Sequence, residues 1–95
     1  VLGAEHPNTL ATAHNLASSF YRQGKHAEAE EMQREVLAVQ KRVLGAEHPD
    51  TLTTAHNLAT SLSRQGKHAE AEEMQREVLA ARKRVLRVSS ASYST

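Results

Sequence analysis

The sequence predicts an all-α fold of two tandem antiparallel helix pairs, and three observations predict it. Residues 1–42 and 43–84 align without a gap, and only seven of the 42 pairs differ: Asn8/Asp50, Ala11/Thr53, Ser18/Thr60, Phe20/Leu62, Tyr21/Ser63, Val39/Ala81 and Gln40/Arg82. A fixed period of this size marks a stacked-repeat architecture, in which neighbouring copies bury one another's apolar faces. The composition is dominated by Ala, Leu, Glu, Gln, Lys and Arg, all good helix formers. Within each copy, two stretches carry apolar residues at helical spacing, separated by a single glycine.

The first helix is expected over 7–23. Leu10, Ala13, Leu16, Ala17 and Phe20 share one face. Pro7 suits the first helical position, because its missing N–H would be unpaired there. Gly24 follows the last periodic residue and supplies the left-handed conformation that closes a helix. The second helix is expected over 26–44. Glu28, Glu30 and Glu31 crowd its first turns and Lys41 and Arg42 its last, which complements the helix dipole. Glu30 and Arg34 form a favourable i,i+4 pair, partly offset by Glu31 and Glu35 at the same spacing. The apolar stripe is Ala29, Met32, Val36, Leu37, Val43 and Leu44, bordered by Val39 and Gln40, and Gly45 ends it. The third helix, over 49–65, repeats the first, with Asp50 adding a negative charge to its first turn. The fourth, over 68–87, repeats the second, but Arg87 stands where Gly45 stopped its counterpart, so an extension by about one turn and a frayed Ser-rich end are expected. The array thus covers 1–88, with copies 1–42 and 43–84, and 89–95 is a non-repeat tail. The chain opens on the Val-Leu that ends a helix in the second copy, and so reads as a piece of a longer array.

Composition excludes several function classes. The net charge is +1 with acids and bases interspersed, which gives no field suited to nucleic acid or an anionic membrane. No apolar run approaches the roughly 20 residues of a membrane span. Cysteine is absent, so disulfides and thiolate chemistry are impossible.

LGAEHPDTL between copies, AHNLA in the first helix of a pair, RQGKHAEAEEM across the turn and REVLA in the second helix together resemble the 42-residue variety of tetratricopeptide (TPR) repeat found in kinesin light chains. The resemblance covers residues 1–86. It implies helix pairs wound into a right-handed superhelix, whose concave surface is lined by the first helix of each pair and holds an extended peptide. It also favours a cytoplasmic location. Three departures stand out. Ala13 and Ala55 replace the family's usual large residue, Gln33 and Gln75 an aromatic, and Val36 and Val78 a small residue. Closer packing of the first helix, with volume restored by valine, is the expected result.

Six histidines invite a metal reading: His6, His14, His26 and their copies His48, His56 and His68. Their separations of eight and twelve residues put no two imidazoles on adjacent turns of one helix. Duplication alone explains the count, and no metal or other cofactor is expected. Ser18, Ser19 and Ser61 lack the acid–base neighbours of a nucleophilic triad. The single glycines form no phosphate loop, and the glutamate runs read as solvated helix faces. The basic cluster Arg82, Lys83, Arg84 and Arg87 reads as a complement to the end of the fourth helix. An enzyme is therefore not expected.

A polar strip on the first helix of each pair is more informative. His14, Asn15, Ser18 and Arg22 lie with Ala11 opposite the core stripe, and His56, Asn57, Thr60 and Arg64 repeat them beside Thr53. In the resembled family this side lines the groove, and Asn15 and Asn57 match the position of an asparagine that hydrogen-bonds a ligand's main chain. An amide both donates and accepts, so it can read a peptide backbone whatever the sequence. The expected function is a non-enzymatic scaffold that offers these residues to a peptide or protein partner. The alternative is a structural unit that stacks on itself head to tail, because two copies leave an apolar face open at each end and roughly three are the usual minimum for stability.

Overall fold

The structure is a computed structural model that describes residues 7–93, with side-chain surroundings for residues 8–87. Four helices follow one another: α1 Pro7–Arg22, α2 His26–Val43, α3 Pro49–Arg64 and α4 His68–Tyr93. Each packs chiefly on the next in sequence, α1 on α2, α2 on α3 and α3 on α4. The chain is therefore a row of helices whose contacts stay local, the expected all-α arrangement of two helix pairs.

Local chemistry explains the breaks. Gly24 and Gly66 adopt φ of +79° and +84°. At each, the residue after the glycine returns its N–H to the last turn, Lys25 to the Phe20 carbonyl and Lys67 to the Leu62 carbonyl, both at 2.9 Å. This is the left-handed closure that satisfies the final carbonyls of a helix. α3 starts at Pro49, and the His48 side chain caps it by accepting the Asp50 N–H on Nδ1 at 3.1 Å. His48 thus has a structural role as a helix cap, while His6, its counterpart, lies outside the described residues.

The first three boundaries fall within one residue of expectation; the fourth does not. α4 runs to Tyr93, six residues beyond the expected end, and 89–93 continue the helix where a frayed tail was expected. Arg87 can take the positive φ, +98°, that Gly45 uses to end α2 only at a steric cost of about 1–2 kcal/mol. The dipole role expected of Arg82, Lys83, Arg84 and Arg87 fails with it, because the last turn of α4 carries no basic residue. Arg84 instead ties α4 to the α2–α3 linker through Glu47 at 2.8 Å.

The core lies between α2, α3 and α4. Leu58, Ala59 and Leu62 of α3 are fully buried, against Leu37 of α2 and Ala71 and Val78 of α4. Ala17, Ala29 and Val36 are buried like their counterparts Ala59, Ala71 and Val78, but for two leucines burial depends on position in the row. Leu58 is 0 % exposed and its counterpart Leu16 is 43 % exposed. Leu37 is 6 % exposed and its counterpart Leu79 is 54 % exposed. Val43 and Leu44, expected in the stripe of the second helix, are likewise exposed, while Gln33 and Gln40 take buried places in it.

Candidate functional site

α1 and α3 each have α2 as a neighbour, which sets their polar strips side by side. Ser18 and Arg22 of α1 and Asn57 and Thr60 of α3 line one cavity of about 240 Å³, together with Tyr21 and Gln33. His14 and Asn15 line a second cavity, of about 420 Å³, with Leu10 and Ala11 on one side and Gln40, Asp50, Thr53 and Thr54 on the other. His56 and Arg64 are exposed and border neither. The eight strip residues are thus divided between two hollows and an exposed flank.

Several of these groups are already engaged. The Thr60 hydroxyl donates to the His56 carbonyl of its own helix at 3.1 Å. Arg64 Nε donates to the Tyr21 hydroxyl at 3.1 Å, which joins α3 to α1 across the strip. Tyr21 also meets His26 edge to face, with ring centroids 4.9 Å apart. Tyr21 was legible only as one of the seven differences between copies: Ser63 replaces it and is too short to bridge to a neighbouring helix. Gln33 was read only as a departure from the family, yet it forms part of the first cavity's wall. Its Oε1 accepts the fully buried Ser61 hydroxyl at 2.7 Å. The spacing of Ala29, Gln33, Val36, Leu37 and Gln40 held the signal, since it places both glutamines on the buried face of α2.

The strongest electrostatic feature lies beside the strip. Glu30, with 12 % of its side chain exposed, accepts from Arg34 at 2.7 Å, Gln65 at 2.8 Å and Lys67 at 3.1 Å. Burial alone would raise its pKa, but these three hydrogen bonds and the Arg34 charge outweigh burial and lower it to about 2. Arg34 reaches on to Glu70 at 3.1 Å. One carboxylate therefore ties α2 to the α3–α4 turn, and its own ion-pair partner ties α2 to α4. Among the described residues, no three His, Cys, Asp or Glu side chains form a group that could hold a metal ion. Within the same residues, no helix is long and apolar enough to cross a membrane.

The row of helix pairs with a 42-residue period, and a family model described as the tetratricopeptide repeat that matches residues 8–84, decide the classification. The chain belongs to the tetratricopeptide repeat family. Among solved structures it is similar to a Podosopora anserina chain described as a kinesin light chain with nearly identical TPR-like repeats, at 36 % identity and a TM-score of 0.75 over 88 % of this chain. A single-substitution variant of that protein is similar at 36 % identity and a TM-score of 0.77 over 90 % of this chain. This chain covers 40 % and 41 % of the two matched chains, about two fifths of their length. No curated protein matches. The TPR-like superhelix is generally a protein-interaction scaffold, and its kinesin-light-chain-like members are typically non-enzymatic.

Proposed function

We propose that this TPR chain holds an extended peptide segment of a partner protein along the α1–α3 strip. One observation carries the reading: Ser18, Arg22, Asn57 and Thr60, from two different helices, converge on one cavity with Tyr21 and Gln33. Hydroxyl and amide groups around a small hollow suit main-chain N–H and C=O groups. Arg22 and Arg64 supply guanidinium groups for a carboxylate, and His14, Asn15 and His56 extend the surface along the strip. Calorimetry against a peptide library tests the proposal. Asn15→Ala combined with Asn57→Ala is expected to weaken binding about tenfold or more, as the loss of two main-chain contacts implies. Ligands whose affinity is unchanged by that pair would overturn it.

A second reading is favoured by a separate observation. Leu16 and Leu79 are exposed where their counterparts Leu58 and Leu37 are buried, which supports association of the open ends of the row. Sedimentation over a range of concentrations tests it, and a monomer throughout would rule it out.

A further inference from the structure

The outward faces of α1 and α4 are copies of the two halves of the contact between α2 and α3. In that internal contact, Leu37 of α2 packs in the cluster formed by Leu58 and Leu62 of α3. Gln33 takes the buried Ser61 hydroxyl. Glu30 takes Gln65 and Lys67 at the end of α3, and Arg34 reaches Glu70 beyond it. Every one of these residues except Leu62 has its own type 42 positions away on an outward face. Gln75 of α4 corresponds to Gln33, and Ser19 of α1 to Ser61. Glu72 corresponds to Glu30, and Gln23 and Lys25 to its two partners across the contact. Arg76 corresponds to Arg34, and Glu28 to Glu70. All seven counterparts are exposed.

We propose that a second copy of this chain docks its α1 on α4, head to tail, in the register that repeats the internal α2–α3 contact. The proposal rests on the self-association reading above and gives that association a direction and a residue code. Gln75 accepts the Ser19 hydroxyl of the incoming copy, and Leu79 and Leu16 meet where Leu37 and Leu58 meet inside the chain. Glu72 takes Gln23 and Lys25, and Arg76 takes Glu28. Each joint sets one acid against one base twice, so the charges are complementary in this direction. Two replacements distinguish the joint from its template. Phe20 takes the place of Leu62, one large apolar group for another, and Arg82 takes the place of Gln40. Arg82 is exposed and lies two helical turns from Gln75, clear of the amide–hydroxyl contact. All the polar contacts involve residue 19 or later of the incoming copy. A head-to-tail contact is heterologous and leaves a free face at each end, so copies add without limit unless the rotation closes a ring. The stack also lengthens the α1–α3 strip from chain to chain.

Sedimentation velocity on the intact chain, from micromolar to millimolar concentration, is the test. The weight-average mass is expected to climb past twice the monomer's 10.4 kDa without a plateau at the dimer. Leu79→Glu and Leu16→Lys each alter an exposed side chain, and circular dichroism is expected to show unchanged helicity. Each variant alone is expected to stay monomeric. Mixed, they are expected to form a one-to-one dimer that grows no further, because the first keeps its α1 face and the second its α4 face. Lys25→Glu and Glu72→Lys are each expected to weaken association of the otherwise native chain about tenfold, and the doubly changed chain to regain most of it. A native chain that remains monomeric throughout overturns the self-association reading itself. If the native chain associates, three results overturn the head-to-tail register while leaving self-association standing. These are a dimer formed by either leucine variant alone, a mixture that stays monomeric, and charge reversals that fail to compensate.

Discussion

At the residue scale, the duplication supplies its own controls. Leu58→Ala empties a fully buried place between α2, α3 and α4 and is expected to cost about 2–5 kcal/mol. Leu16→Ala makes the same chemical change at a half-open place and is expected to cost well under half of that in dilute solution. Chemical denaturation of the two variants checks the difference. Ser61→Ala leaves the buried Gln33 oxygen without its donor, at an expected cost of about 1–3 kcal/mol, while Ser19→Ala is expected to be near neutral. Glu30 makes stability depend on pH. Its folded pKa of about 2 lies below the ordinary 4.5, so the stabilisation is fully present above pH 4.5 and is lost as pH falls towards 2. Arg34 and Lys67 are nearly half exposed, so solvent screening holds the effect to about 1–2 kcal/mol. Melting temperatures between pH 6 and 2 are expected to fall, with a shallower fall in Glu30→Gln.

At the element scale, the helix ends follow from backbone chemistry at single positions. Gly66 holds φ +84° with nothing near the place a Cβ would take, so Gly66→Ala carries only the backbone penalty, about 1–2 kcal/mol. Arg87→Gly restores the stop used after α2. It is expected to end α4 near Leu86 and remove helical chemical shifts from residues 88–93. The ends of α1, α2 and α3 were legible because Pro, Gly and the apolar period all agreed. The end of α4 was misread because a Ser-rich run has low helix propensity, whereas the absence of a left-handed residue decided the outcome. Propensity grades a helix by tenths of a kcal/mol per residue, and a missing stop leaves it nothing to overcome.

At the scale of the whole molecule, a residue's burial depends on how many neighbours its helix has. α3 has a helix on both sides, and α1 and α4 each have one among the described residues. This is why copies nearly identical in sequence differ so widely in exposure. Packing that runs chiefly between adjacent helices also keeps perturbations local. A core substitution in α4 such as Val78→Ala is therefore expected to lower amide-exchange protection in α3 and α4 more than in α1. Hydrogen exchange resolved by residue checks this. The polar strip belongs to the same scale, because its cavities exist only where α1 and α3 come side by side.

The sequence by itself determined the 42-residue period, four helices and three of their ends, because these depend on local dihedrals and on spacing along one chain. It also marked the polar strip as one face of each first helix. Tertiary structure alone decided that Gln33 pairs with Ser61, that Tyr21 reaches Arg64 and that Glu30 adds Gln65 and Lys67 to its helical partner Arg34. Those contacts join residues 28–43 positions apart, and a repeat that writes each residue twice does not say which copy meets which. Stacking breaks that symmetry: it buries Leu58 and leaves Leu16 open, because only one of them has a helix on each side.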